Sequence, residues 1–294
     1  GGTHAEQTAK IMIEYEKILL NSNVDFVMVV GDVNSTLACT LVAKKMNIKV
    51  GHIEAGIRSN DRTMPEEINR VVTDSIADLF FTTSKNASKN LLSMGVDSKK
   101  IFFVGNTMID TLINFKHLFK KPKIWNDLQL TAKKYFILTV HRPSNLSDNE
   151  YFKNLLKTIS IEAQDFNIIF PVHPRTTRLL DRYTSTLKNF HIIEPLSYLE
   201  FNYLVEKSIG VITDSGGISE ETTILNIPCI TLRDSTERPE TVSLGTNVII
   251  GKSIKCLQKN INLIKKNSWK TTRVPQLWDG KSGERIVNIL KDNL

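Results

Sequence analysis

The amino-acid sequence predicts an α/β protein built from two doubly wound domains with parallel sheets. Three observations carry that expectation. Short apolar runs of strand length alternate with longer stretches of helical periodicity along most of the 294 residues. The apolar runs are continuous rather than alternating, as suits strands buried on both faces by crossover helices. The alternation breaks once, over 111–134, a Lys-rich segment containing Pro122, and then restarts.

In the first half, VDFVMVV (24–30) reads as a strand closed by Gly31-Asp32, and NSTLACTLVAKKMN follows as a capped helix with an apolar face. IKVGHI is the next strand. PEEINRVVTDSIADL opens with Pro at a first-turn position, where its missing N–H costs nothing. LFFTTS, SKNASKNLLSMG and IFFVGN continue the pattern. After the break, YFILTVH (135–141), NIIFPVH (167–173), HIIEP (191–195), GVITD (210–214) and PCITLR (228–233) read as further strands. The boundary is expected at 115/116, giving an N-terminal domain over 1–115 and a nucleotide-binding domain over 116–294. The N-terminal domain opens on a helix and carries few strands, so about two βα units are expected to be missing from its start.

Composition narrows the function classes. The chain is 41% hydrophobic and 23% charged, enough for two cores. The net charge of +7 is spread in short clusters such as Lys120, Lys121 and Lys123 rather than a basic stripe, which argues against nucleic-acid binding and fits an anionic small substrate. No run of about 18 uncharged apolar residues exists to span a membrane. The opening GGTHAEQTAK has neither a Met nor the basic-then-apolar order of a signal peptide. Cys39, Cys229 and Cys256 are far apart and odd in number, so they offer neither metal-ligand spacing nor a disulfide framework, as expected of a reducing cytoplasm.

Ligands of open α/β sheets bind beyond the carboxyl ends of the strands. Those ends carry Asp32, Glu54, Gly105-Asn106, His141-Arg142, His173, Glu194 and Asp214-Ser215-Gly216-Gly217. A carboxylate at the end of a core strand, such as Glu54 after IKVGHI, is costly unless something uses it. Each residue has a plainer alternative: Asp32 as a helix cap, His173 as a satisfied core histidine, Glu54 and Glu66 as solvated loop acids. Their concentration on one sheet edge favours a site. In TDSGGISEE (213–221), Ser215, Gly216 and Gly217 present backbone N–H groups at a helix start, suited to a phosphate, with Glu221 one turn on for sugar hydroxyls. Neither a G-x-G-x-x-G after a strand nor a P-loop is present.

Taken in order, GHIEAGIRSNDRTMPEEINR, VGNTMIDTL, TVHRPSN, TDSGGISEE and LRDSTERPE resemble the non-hydrolysing UDP-N-acetylglucosamine 2-epimerases. The resemblance covers almost the whole chain. It implies two Rossmann-like domains in a glycosyltransferase-B-like arrangement with a cleft between them, a cytoplasmic homodimer, and no NAD or catalytic metal. It implies epimerisation at C2 of a UDP-N-acetylhexosamine, UDP-GlcNAc to UDP-ManNAc, for polysaccharide precursors. By the same resemblance Asp32, Glu54, Glu66 and His141 are the catalytic residues. Ser215, Gly216 and Gly217 hold the diphosphate, Glu221 the ribose and Phe201 the uracil, with Arg70 and Arg142 as further cationic candidates. The family's opening G-T-R-P-E turn has no counterpart here. Alternative readings are a UDP-2,3-diacetamido uronic acid 2-epimerase, a hydrolysing relative, a glycosyltransferase of the same architecture, or a nucleotide-sugar-binding module without turnover.

Overall fold

The computed structural model describes residues 2–172, 180 and 187–293. Among them, two all-parallel sheets form. The first contains β1 (Phe26–Val30), β2 (Lys49–Ala55), β3 (Leu79–Thr82) and β4 (Ile101–Phe103) in the order 1-2-3-4. The second contains β5 (Tyr135–Thr139), β6 (Asn167–Pro171), β7 (Phe190–Ile193), β8 (Gly210–Thr213), β9 (Cys229–Thr231) and β10 (Asn247–Ile249), in the order 10-9-8-5-6-7. The nine strands expected from the sequence are present. β10 is an addition to them, because three residues of strand between polar turns leave almost no pattern.

The parallel pairing follows from burial. All four residues of β8 and the first four of β5 are buried, so both sheet faces are covered there. The helix Asn149–Glu162 packs Phe152, Leu155, Leu156 and Ile159 into one core with Phe136, Leu138 and Ile212, and Leu257 and Ile261 of the helix Ile254–Lys265 complete it. Burying each such side chain stabilises the fold by about 1.5–3 kcal/mol. The strand order of the second sheet reverses between β5 and β8, which are neighbours although β6 and β7 intervene in sequence. That reversal is the topological switch point of a doubly wound sheet, where ligands bind.

The chain divides into two compact units, Gly1–Asp110 with Gln276–Leu294, and Thr111–Pro275. The tail 276–294 thus returns to the first unit, instead of staying with the second as a boundary at 115/116 implies. Local chemistry explains the return. Ile286 joins Phe81 and Val104 in one apolar cluster. The buried Trp278 indole donates to the Thr83 carbonyl at 3.1 Å, and the Gly283 N–H donates to Asp110 Oδ2 at 2.7 Å. Gly105, at φ +96°, admits the incoming tail, since a Cβ there would lie 2.1 Å from the Leu277 carbonyl oxygen.

Candidate active site

In the first unit, the carboxylates fall where the strand ends lead. Asp32 follows the left-handed turn residue Gly31 after β1. It does not cap the next helix, Asn34–Lys45, whose N-cap is Val33 with no side-chain bond. Instead its side chain accepts from Arg70 Nη2, while Asn69 Nδ2 donates to the Asp32 carbonyl at 2.8 Å.

Glu54 sits within β2 at the irregularity between Ile53 and Ala55, with φ +66°. A non-glycine residue in that region costs about 1–3 kcal/mol and persists only where its surroundings over-determine it. An irregularity of this kind breaks the regular alternation of side chains along a strand. It is invisible in the sequence, where IEAG reads as an ordinary strand end.

Pro65 occupies the first turn of the helix Pro65–Ile76, as its position in the sequence implies. The two glutamates after it have separate fates. Glu66 lines a pocket of about 280 Å³ together with Asp32, His4, Gln7, Asn34 and Asn69. Glu67 is buried and accepts from the Ser59 N–H at 2.9 Å, the Ser59 hydroxyl at 3.0 Å, the Asn60 N–H at 3.0 Å and Arg70 Nη1 at 2.9 Å. Burial pushes its carboxyl upward, but these donors outweigh burial and hold it below the usual carboxylate range. Arg70, expected on an anionic ligand, is therefore bound by two carboxylates of its own unit, Asp32 and Glu67.

In the second unit, the switch point carries the site. Asp214, fully buried at the end of β8, reaches the end of β5. It accepts from the backbone N–H groups of His141 (3.1 Å) and Arg142 (2.9 Å) and from Asn145 Nδ2 (3.0 Å). His141 Nδ1 lies 2.7 Å from Asp214 Oδ1, and the His141 side chain is about half exposed. Burial raises the Asp214 pKa, yet the bonds from His141, Arg142 and Asn145 bring it below its ordinary value.

Ser215 is the N-cap of the helix Gly216–Leu225, with no side-chain cap bond, so Gly216 and Gly217 open the helix as their place in the sequence implies. A Cβ on Gly216 would lie 3.2 Å from a guanidinium nitrogen of Arg238 and 3.5 Å from one of Arg233. Sequence reasoning misses both arginines. LRDSTERPE stands out only as a motif, and nothing local ties it to the turn. Arg233 makes a two-fold ion pair with Glu237 (2.8 and 2.7 Å), and Arg238 Nε lies 2.7 Å from Glu220. A helix N-terminus flanked by two arginines is suited to a diphosphate.

Glu221 is buried in the same helix, and its pKa is raised by burial, opposed by bonds from Tyr198 and Asn202. Tyr198, Phe201 and Asn202 share the helix Tyr198–Lys207. Two strand-end residues take the plainer role: Asn106 Oδ1 accepts from the Met108 N–H at 2.9 Å, capping its helix, and Glu194 is exposed. His173 lies outside the described residues. Among the described residues no group of three or more His, Cys, Asp or Glu side chains is arranged to hold a metal ion.

The model of the family described as UDP-N-acetylglucosamine 2-epimerase matches residues 1–291. The chain belongs to this family, that of the non-hydrolysing 2-epimerases. It is 46% identical to the UDP-N-acetylglucosamine 2-epimerase of Methanocaldococcus jannaschii, over 98% of this chain and 81% of that protein. The crystal structure of the M. jannaschii enzyme in complex with UDP-GlcNAc and UDP superposes with a TM-score of 0.86 at 45% identity, covering 99% of this chain and 82% of that one. A UDP-2,3-diacetamido-2,3-dideoxy-D-glucuronate 2-epimerase of Pseudomonas aeruginosa is 37% identical over 85% of this chain and 70% of that protein. The fold of this epimerase-family chain is accordingly that of two parallel-sheet α/β domains.

Proposed function

We propose that the protein is an isomerase that interconverts UDP-GlcNAc and UDP-ManNAc by inverting C2. The observation that carries this reading is the second unit's switch point, where an open glycine turn, two arginines and the Asp214-bound His141 meet. Such a site suits an anionic nucleotide as leaving group. Family membership supports the sugar chemistry.

The C2 proton of the sugar is poorly acidic, because the acetamido group offers no enolate. Breaking the C1–O bond first sends its electron pair to UDP and leaves positive charge on the ring. The C2–H bond then becomes breakable, its electron pair forming the C1–C2 double bond of a 2-acetamidoglucal. A carboxylate takes the proton, another group returns one to the opposite face, and UDP re-adds at C1. Asp32, Glu54 and Glu66 are the groups assigned to these proton transfers and to stabilising the cationic ring. Ser215, Gly216 and Gly217 hold the departing diphosphate, with Arg142, Arg233 and Arg238 as cationic support. With Nδ1 engaged by Asp214, His141 meets the ligand through Nε2. Glu221 takes the ribose hydroxyls, whose donation offsets the cost of its burial, and Phe201 lies beside the uracil.

Incubation with UDP-GlcNAc in heavy water, followed by NMR, tests the reading. Deuterium at C2 of a UDP-ManNAc product supports it, and product that retains its C2 hydrogen overturns the route. A second reading, action on a UDP-2,3-diacetamido uronic acid, is favoured by the 37% identical relative. Competition between the two UDP-sugars decides between them. A cytoplasmic homodimer supplying polysaccharide precursors completes the proposal. The scattered free cysteines fit the compartment, and sedimentation equilibrium tests the dimer.

A further inference from the structure

His52, in the middle of β2, is fully buried and bonded at both ring nitrogens. Nε2 lies 2.8 Å from the Gly31 carbonyl oxygen, and Nδ1 lies 2.7 Å from Asp74 Oδ1. A carbonyl only accepts, so Nε2 is the donor there. Asp74 is also fully enclosed, and its second oxygen takes the Gly56 N–H at 3.0 Å and Arg58 Nη2 at 2.6 Å. One carboxylate on the helix Pro65–Ile76 thus grips the turns after two strands: Gly31, immediately before Asp32, and Gly56, two residues after Glu54. Gly31, Glu54 and Gly56 all have φ between +66° and +76°. Nothing in the proposed chemistry uses His52 or Asp74 directly.

We propose that Asp74, acting through His52 and Gly56, is a positioning residue that sets where Asp32 and Glu54 stand relative to each other. The inference rests on the proposed epimerisation for its kinetic consequence. The left-handed Glu54 needs surroundings that over-determine it, and the fixed Gly56 N–H supplies them from the C-terminal side. The Gly31 carbonyl, held by the His52 ring, fixes the turn that delivers Asp32. A misplacement of about 1 Å at such groups costs about 10²-fold in rate.

The test is the Asp74→Asn variant, which keeps the side-chain size but cannot accept from His52, Gly56 and Arg58 together. The expected result is a loss of kcat of about 10²-fold, with the KM for UDP-GlcNAc and the affinity for UDP within about twofold, well below the melting transition. A purely structural role would instead lower the melting temperature and leave kcat unchanged, which overturns the proposal. A second readout does not depend on turnover. The ¹³Cα and ¹³Cβ shifts of Glu54, which report its φ, should move out of the left-handed range in Asp74→Asn. Shifts identical to those of the wild type overturn the inference even if UDP-GlcNAc proves not to be the substrate, whereas failure of the wild-type protein to epimerise overturns only the proposed function. Where Asp74→Asn does not fold, His52→Gln, which removes one of the two ties, is read in the same two ways.

Discussion

His141 Nδ1 lies 2.7 Å from Asp214 Oδ1, across the junction of two strands that are neighbours in the sheet but separated by more than seventy residues of chain. The pairing fixes the imidazole's orientation and makes Nδ1 its donor. It also ties the loop after β5 to the loop that opens into the glycine turn. Asp214 has no room to relax, since its oxygens also receive two backbone N–H groups and the Asn145 amide.

Asp214→Asn should therefore disturb His141 before it disturbs the sheet. An amide nitrogen in place of one oxygen faces donors where an acceptor is needed, and the imidazole loses its partner for Nδ1–H. Turnover should fall by about 10²-fold, the usual cost of misplacing a group that holds the substrate by about 1 Å. Steady-state kinetics measures it, and kcat within a factor of two of wild type would remove the pair from the mechanism.

Gly216→Val should abolish UDP binding while the protein stays folded. A Cβ at this position stands 3.2 Å from the Arg238 guanidinium, so a branched side chain occupies the space between the helix start and both arginines. Titration calorimetry with UDP should show an affinity at least about 10-fold weaker, or more than about 1.4 kcal/mol. Undiminished affinity would separate the turn from the diphosphate.

The amide variants Asp32→Asn, Glu54→Gln and Glu66→Gln should each lose about 10²–10⁴-fold in epimerisation rate. They should bind UDP normally, because UDP lacks the sugar. Glu67→Gln should behave differently from its neighbour Glu66→Gln. It leaves the Ser59–Asn60 amides and one arm of Arg70, which keeps Asp32, around a neutral buried group, so the expected loss is in stability, about 1–3 kcal/mol. Comparing denaturation midpoints of the two variants is the check, and equal stabilities would contradict the division of roles.

Glu237 predicts an acid-sensitive component of stability. Burial raises its pKa, but the Arg233 pair and the nearby Arg238 more than compensate and bring it down to about 2 from an ordinary 4.5. A depressed folded pKa means stability that is fully present above the unfolded value near 4.5 and is lost as pH falls toward 2. The contribution at neutral pH is about 3 kcal/mol, since each tenfold change in proton affinity is worth about 1.4 kcal/mol. Glu237→Gln should be less stable than wild type at pH 7, and the difference should shrink below about pH 4.5 and close as pH falls to about 2. Parallel stability curves across pH 2–5 would refute this.

Much of the molecule is legible in the sequence because parallel strands buried on both faces leave continuous apolar runs, and ligand chemistry clusters at the polar residues that end them. VDFVMVV, YFILTVH and GVITD announce their strands, Pro65 its helix, and TDSGG the open turn at the Gly216 helix. The sequence by itself determined two α/β units, the strand-end acids, and the family to which they belong. Only the tertiary structure decided which of two adjacent glutamates is buried among donors and which lines a pocket, because helical phase at Pro65 does not say where the Ser59–Asn60 loop will lie. It decided that Arg70 serves Asp32 and Glu67, that Arg233 and Arg238 reach Gly216, and that residues 276–294 return to the first unit. Each of these contacts joins residues distant in sequence or depends on how a loop folds back. Such partners are chosen by packing of the whole unit, and the local pattern carries no record of them.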